Sequence, residues 1–368
     1  MKIIQFCFNL SSGGAEKFVV NLSNELAELG HDVEVCILRP ADTEDGAFNK
    51  QFLSDKVRFT SLGIERGFSL AKVYKVSKYI KSQKPDVVHC HLNVIPYIFP
   101  LALMCCGIRF VHTLHNIATA ACGGPRQVSI NKFFYKNNLI QPVTISKLCQ
   151  DSYVDLYHLN NAPYIDNGTA PTFQTAQFES VKSEVEAMKQ TSNTRVFIHV
   201  ARFDAQKNQN LLIDAFNELN ERGVDFLLLV LGARFDAPEA QPLVAKACDR
   251  IKFLGVKPNV ADYLYCAETF CLSSNFEGLP ISLIEALSAG LIPICTPVGG
   301  IPDVIEDGII GYLSDDVSLD AYVEAIERYL KDGLSSQRNI DYFNANFTMS
   351  QCAKKYLEVY KNKFCRIL

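Results

Sequence analysis

FCLSSNFEGLPISLIEALSAGLIPICTPVGGIPDV, residues Phe270 to Val304, carries the densest pattern in the chain. Phe270-Cys271-Leu272 is a short apolar run of the kind that forms a buried parallel strand. Ser273-Ser274-Asn275 breaks the run, and Glu277-Gly278-Leu279-Pro280 makes a turn. A helix is expected from Pro280 to about Ala289, with proline at its first position and Gly290 just past its end. Leu291 to Cys295 reads as the next strand, and Gly299-Gly300 closes the unit. Two acids, Glu277 and Glu285, fall in the turn and on the helix. At the carboxyl end of a parallel strand this predicts a nucleotide site, with backbone amides for phosphate and carboxylates for sugar hydroxyls.

The rest of the chain repeats the same alternation. Strands are expected at Ile3–Phe8, Val33–Leu38, Val57–Leu62, Pro85–His91, Phe110–Leu114 and Gln141–Ile145, with helices at Ala15–Leu29, Leu70–Ser82, Val94–Cys106 and Leu148–Leu156. A turn-rich segment, Pro163 to Gly168, then a polar connector, Phe173 to Ser192, separate this half from a second one. There the order is Val196–Val200, helix Asn208–Arg222, Phe226–Leu231, helix Pro242–Arg250, Ile251–Leu254 and helix Val260–Cys266. An amphipathic helix, Ser350 to Arg366, follows. Strand–helix alternation of this kind predicts an α/β fold of two Rossmann-like, doubly wound domains. The expected division is 1–168, 169–348 and a terminal helix in 349–368, with a ligand cleft between the domains.

A chain of 368 residues fits two domains. Hydrophobic content of 48% and a mean hydropathy of +0.05 suit a soluble enzyme with buried sheets. The thirteen cysteines include no C-x-x-C pair, and core positions such as Cys7, Cys36, Cys90, Cys271 and Cys295 predict reduced thiols in a cytoplasmic protein. The chain starts directly as a strand, and the Val94–Cys106 segment, with Pro96 and Pro100, is too short to span a bilayer. Net charge is −4, but residues 1–170 carry 17 Lys+Arg against 14 Asp+Glu. That mild excess excludes a nucleic-acid footprint, which needs a concentrated patch. Lys72, Lys75, Lys78, Lys81 and Lys84 recur on one helix, either as a solvated face or as a docking surface for anionic lipid.

Several constellations carry chemistry. Gly13-Gly14-Ala15-Glu16, between the first strand and helix, either brings free amides to a phosphate or is a plain tight turn. It is not a dinucleotide fingerprint, which disfavours a dehydrogenase. Arg202 and Lys207 follow the strand Val196–Val200, where two cations can neutralise a diphosphate; a solvated loop is the alternative. Glu285 falls in an almost wholly apolar helix and is expected to be buried, where a carboxylate needs a partner. His115 ends a strand and is expected to point into the cleft, whereas His112 should be packed. His89 and His91 lack neighbouring carboxylates, and no D-x-D motif occurs at a core strand end, so no metal is expected.

Together these residues resemble the family 4 retaining glycosyltransferases of GT-B fold. The resemblance rests on Gly13–Glu16, Pro85–His91, Thr113-Leu114-His115, Ile165–Gly168, Arg202 with Lys207, Phe253–Val256, and the Glu277-Gly278-Leu279-Pro280…Glu285-Ala286 pattern. It implies transfer of a sugar from a nucleoside diphosphate sugar, UDP-linked as the first expectation, with no cofactor. By resemblance, Arg202 and Lys207 would hold the diphosphate and Glu285 the ribose. Glu277 with Gly278, Leu279 and Pro280 would contact sugar and phosphate, His115 the sugar at the reacting centre, and Gly14 the phosphates. Gly255 and Val256 would hold the base. His115, Arg202, Lys207 and Glu277 are thus the implied catalytic set, with sugar contacts also from a loop at Thr119–Ser129. Asp303 departs from the family, which more often has Glu there. The implied acceptor is a glycan or lipid-linked saccharide in surface polysaccharide assembly. A nucleotide-sugar epimerase and a non-catalytic partner subunit stand as alternatives.

Overall fold

The computed structural model describes residues 1–43, 46–65, 67–122 and 124–362. The chain divides into two compact units, Met1–Thr169 joined by the segment from Met349 onward, and Ala170–Thr348.

The first unit is built on β1 (Lys2–Cys7), β2 (Asp32–Ile37), β3 (Arg58–Ser61), β4 (Val87–His91), β5 (Arg109–Leu114) and β6 (Gln141–Thr144). They form one parallel sheet in the order β3-β2-β1-β4-β5-β6. Its inner strands are buried along nearly their whole length, as expected of strands covered by helices on both faces. Ile4, Phe6, Val88, Cys90 and Phe110 pack with Val76 and Ile80 of the helix Leu70–Gln83. Ser69 starts that helix by accepting from the Lys72 backbone N–H at 3.4 Å, and Ser146 caps the helix Lys147–Tyr157 through Cys149 at 3.1 Å. Caps of this type are worth about 1 kcal/mol each.

The second unit holds β7 (Arg195–Val200), β8 (Phe226–Leu231), β9 (Ile251–Gly255), β10 (Thr269–Leu272), β11 (Ile292–Cys295) and β12 (Tyr312–Leu313). Their order is β12-β11-β10-β7-β8-β9, again all parallel. Phe197, Leu228, Val230, Cys271 and Ile294 form the centre of its core, against Leu212 and Phe216 of the helix Gln209–Glu221. In each sheet the winding reverses once, between β1 and β4 and between β7 and β10. Open α/β sheets bind ligands at the strand ends beside such a reversal.

The terminal helix, Met349–Lys361, belongs to the first unit and packs on the helix Gly14–Glu28. It buries Cys352, Ala353, Tyr356, Leu357 and Tyr360. The stretch expected to continue it to Arg366 lies outside the described residues from 363 on.

Some expected elements are shorter or differently built. Val94–Cys106 is not one helix: Pro96 and Pro100 divide it into a tight turn at Ile95–Tyr97 and a short helix at Phe99–Met104. The helix expected at Pro242–Arg250 stops at Lys246, where Ala247 turns extended. The Thr119–Ser129 segment is mostly helical, covered by Ala118–Ala121 and Pro125–Lys136. Among the described residues no helix is long and apolar enough to cross a membrane, and the described cysteines are all free.

Candidate active site

In the second unit the reversal point is framed by the segment after β7, residues 201–208, and the turn after β10, residues 273–280. Polar side chains stitch the two together. Asn275 donates its backbone N–H to Gln206 O at 2.8 Å and its side-chain amide to Ala205 O at 2.9 Å. Ser273 Oγ donates toward the carbonyls of Lys207 and Asn208, both at 3.1 Å. Asn208, with φ +47°, turns the chain into the helix Gln209–Glu221. Gln209 is buried and ties the Arg202 carbonyl at 2.9 Å.

This stitching brings Lys207 to Glu277. Lys207 Nζ lies 2.6 Å from Glu277 Oε1, with side-chain exposures of 19% and 5%. Ser274 Oγ donates to the same carboxylate oxygen at 2.6 Å, and Gln206 Nε2 reaches Oε2 at 3.3 Å. A carboxylate this buried requires such donors, because an unpaired charge removed from water is strongly unfavourable. The lysine expected to help neutralise a diphosphate therefore has a counter-ion of its own within the fold. Arg202 is more exposed and lies 3.3 Å from Asp204.

Glu285, expected to be buried, is less so than Glu277. Glu277 in the turn is 4% exposed, while Glu285 on the helix Ile281–Ser288 is only half-buried. The apolar composition of that helix reflects Leu283, Ile284, Ala286 and Leu287, which face the core, and Glu285 occupies its accessible side. Pro280 precedes the helix instead of starting it, and its ring nitrogen has no hydrogen to donate. Its part is to fix the chain's entry; amide donation falls to its neighbours.

Two glycines outside the expected set shape this site. Gly299, at φ +65°, passes so close to the turn that a Cβ would lie 2.0 Å from the Glu277 carbonyl oxygen, and Gly300 N–H donates to Gly278 O at 2.7 Å. Gly232, just after β8, leaves no more room: a Cβ there would sit 2.0 Å from Ala201 O, next to Arg202. Its N–H also bonds Gly255 O at 2.9 Å, and so ties in the end of β9. Gly255 has φ +67° and Val256 beside it is exposed. A glycine directly after an apolar strand was the available signal for Gly232.

In the first unit, Gly13 precedes the helix Gly14–Glu28 in extended conformation, and Glu16 lies in the first turn. Ser11 Oγ donates to Glu16 Oε1 at 3.0 Å, and a Cβ on Gly13 would meet Glu16 Oε2 at 2.3 Å. The Gly13 position is small because the Glu16 carboxylate folds over it.

His115 lies just beyond β5, with Nε2 2.9 Å from His91 Nδ1. Loss of hydration, with a smaller contribution from His112, lowers its pKa to about 3. His89 and His91, fully buried, are pushed well below the usual histidine value by the same loss of hydration. All three are therefore neutral imidazoles near pH 7. His112 is buried too, bonded to Tyr135 Oη at 2.7 Å and Leu92 O at 3.0 Å, a packed role as expected.

Known proteins resemble this chain in sequence and in fold. The family model described as Glycosyl transferases group 1 matches residues 182–346, and Glycosyltransferase Family 4 matches residues 12–165. The N-acetyl-alpha-D-glucosaminyl L-malate synthase of Bacillus anthracis is 25% identical over 344 residues, 88% of this chain and 86% of its own. The UDP-Gal:alpha-D-GlcNAc-diphosphoundecaprenol alpha-1,3-galactosyltransferase of Escherichia coli is 25% identical over 309 residues, 76% of this chain and 77% of its own. Anabaena HepE in complex with UDP and glucose superposes with a TM-score of 0.78 at 16% identity, over 99% of this chain and 100% of that one. Two six-stranded parallel sheets of this order define a GT-B fold. The chain belongs to the family 4 glycosyltransferases.

Proposed function

We propose that this glycosyltransferase moves a sugar from a UDP-sugar to a glycan or lipid-linked saccharide, with retention at the anomeric carbon and without a metal ion, in surface polysaccharide assembly. The observation that carries the reading is the Lys207–Glu277 pair at the sheet's reversal point, with Arg202 a few residues away. When the glycosidic bond breaks, negative charge grows on the diphosphate. A fixed ammonium and a guanidinium stabilise that charge more in the transition state than in the bound donor, which is what accelerates the step. Because Lys207 is held by Glu277 and Glu277 by Ser274, the cation is preorganised and little reorientation is needed. Glu277 then sits one hydrogen-bonding group from the phosphate, in reach of the sugar, and Glu285 serves the ribose. His115, neutral, contacts a sugar hydroxyl. Two similar proteins support the donor and acceptor classes: HepE, in complex with UDP and glucose, and the Escherichia coli enzyme, a UDP-Gal:alpha-D-GlcNAc-diphosphoundecaprenol galactosyltransferase.

A donor screen read by released nucleotide tests this directly. Arg202→Ala, Lys207→Ala and Glu285→Ala are each expected to lose most transfer activity while staying folded. Near-full activity in the Arg202→Ala/Lys207→Ala double variant would sink the assignment. Isomerised donor in the absence of acceptor would show an epimerase instead.

Peripheral contact with an anionic membrane belongs to the same proposal. Phe68, Leu70 and Tyr74 are 60%, 80% and 69% exposed around the start of the helix Leu70–Gln83. Lys72 and Lys75 are spent on backbone carbonyls of residues 62–67, so the basic contribution falls to Lys78, Lys81 and Lys84. Apolar anchors beside lysines suit an interfacial contact. Vesicles containing phosphatidylglycerol should retain the protein and neutral vesicles should not; equal, poor retention by both would remove this part.

A further inference from the structure

One buried polar chain in the first unit runs from His115 through groups that the chemistry above does not use. His115 Nε2 meets His91 Nδ1 at 2.9 Å, and His91 Nε2 meets Gln5 Oε1 at 2.7 Å. Gln5 Nε2 points to Tyr360 Oη at 3.4 Å, and Tyr360 Oη lies 2.7 Å from His89 Nδ1. His89 Nε2 reaches Thr113 Oγ1 at 2.7 Å, and that hydroxyl meets Tyr356 Oη at 2.9 Å. Gln5, His89, His91, Thr113 and Tyr356 are buried at 2% exposure or less, and Tyr360 at 5%.

These links have a direction. With the Gln5 carbonyl oxygen facing His91 and its amide facing Tyr360, His91 carries its proton on Nε2, because a carbonyl oxygen only accepts. Its Nδ1 is then the acceptor, and His115 donates to it from Nε2. A neutral imidazole has one proton, which leaves His115 Nδ1 as an acceptor. At the other end, the Gln5 amide donates to Tyr360 oxygen, freeing the Tyr360 hydroxyl to donate to His89. Phe18, edge-on to the His115 ring with centroids 5.3 Å apart, holds the ring plane.

We propose that Gln5, His91 and Tyr360 are positioning residues that hold His115 as its Nε2–H tautomer, so that Nδ1 accepts a hydrogen bond from a hydroxyl of the donor sugar. The inference rests on the reading of His115 as sugar-facing and adds what sets the sign of its hydrogen bond. The terminal helix, through Tyr360, reaches the reacting centre without touching substrate. A histidine in the other tautomer would offer a donor at Nδ1, and the sugar hydroxyl would then have to turn a lone pair toward the ring.

The test uses the full chain with 15N-labelled histidines, His115 being assigned by comparison with His115→Gln. In the unsubstituted protein, His115 should show a protonated Nε2 and a bare Nδ1. Gln5→Leu removes the acceptor that orients His91 and should give a mixture of tautomers, with kcat/KM reduced roughly tenfold, the equivalent of one misdirected hydrogen bond. Tyr360→Phe removes a single hydroxyl, keeps the ring and frees the Gln5 amide to turn over; it should shift the tautomer in the same direction by less, and it covers the case in which Gln5→Leu does not fold. A His115 protonated at Nδ1 in the unsubstituted protein would overturn the proposal, as would folded variants with unchanged tautomer and kcat/KM. Full activity in His115→Gln would overturn the sugar-facing reading itself, while the tautomer measurement still judges the relay.

Discussion

The strand ends at the two reversal points are furnished in opposite ways. In the second unit they carry formal charges on connecting segments, Lys207 against Glu277 and Arg202 beside Asp204. In the first unit they carry neutral imidazoles, an amide and hydroxyls rooted in the strands themselves. The charged groups of the second unit stand on connecting segments, with Lys207 and Glu277 largely buried and held by their partners. The neutral groups of the first unit are locked in and against a sheet, where a wrong partner would leave a buried polar atom unmet. The difference reads as a division of labour between leaving group and sugar.

The sharpest way to break that comparison is through charge. Lys207→Ala should lower kcat/KM by roughly a hundredfold to a thousandfold, the scale for losing a preorganised electrostatic stabiliser. His115→Ala should cost about tenfold. Donor affinity should weaken with added salt in the unsubstituted protein and less so in Lys207→Ala. Equal losses from both substitutions would dissolve the distinction.

Acid provides the next largest contrast. Histidines whose pKa is lowered on folding bind fewer protons folded than unfolded, so stability is lost as pH falls below the unfolded value near 6.5. The loss continues down to the folded values, about 4 for His112 and about 3 for His115. His89 and His91 add to it in the same unit, whereas the second unit has His199 alone, at about 4. Each titrating site contributes about 1.4 kcal/mol per pH unit within its window. Calorimetry between pH 7 and 4.5 should therefore show the first unit's transition falling further than the second's. Parallel shifts would argue that the imidazoles are hydrated.

The smallest effect expected is at Gly299. A side chain there must adopt a left-handed backbone and displace the Glu277 carbonyl, costing about 1–3 kcal/mol. Gly299→Ala should lower the second unit's melting temperature and weaken transfer, with the first unit's transition unchanged.

The fold was legible because both halves alternate short apolar runs with amphipathic helices, and parallel buried strands admit few other arrangements. Many element ends moved by a residue or two, as at Ser146 and Pro280, while the helix expected to reach Arg250 stops at Lys246 and Val94–Cys106 is divided by its prolines. The charged half of the site was also legible: Arg202, Lys207 and Glu277 stand beside obvious strand ends. Their mutual pairing was not, because it depends on how two segments 70 residues apart are stitched by Asn275 and Gln206. The neutral half was least visible. Gln5 and His89 are register partners on β1 and β4, a pairing that only the sheet order reveals. Tyr360 lies 271 residues from His89. The available hint was polar residues recurring inside buried runs, KIIQFC, VVHCH and RFVHTL, where strand burial leaves no room for an unsatisfied group.

The helix Met349–Lys361 is made after the whole second unit, yet two of its tyrosines close the polar chain of the first. On the ribosome the second unit, Ala170–Thr348, can finish folding while the first still waits for its last element. Until Tyr356 and Tyr360 emerge, Gln5, His89 and Thr113 lack these hydroxyl partners. Translation that stops short of this helix thus leaves the first unit without two of the hydroxyls that close its polar chain.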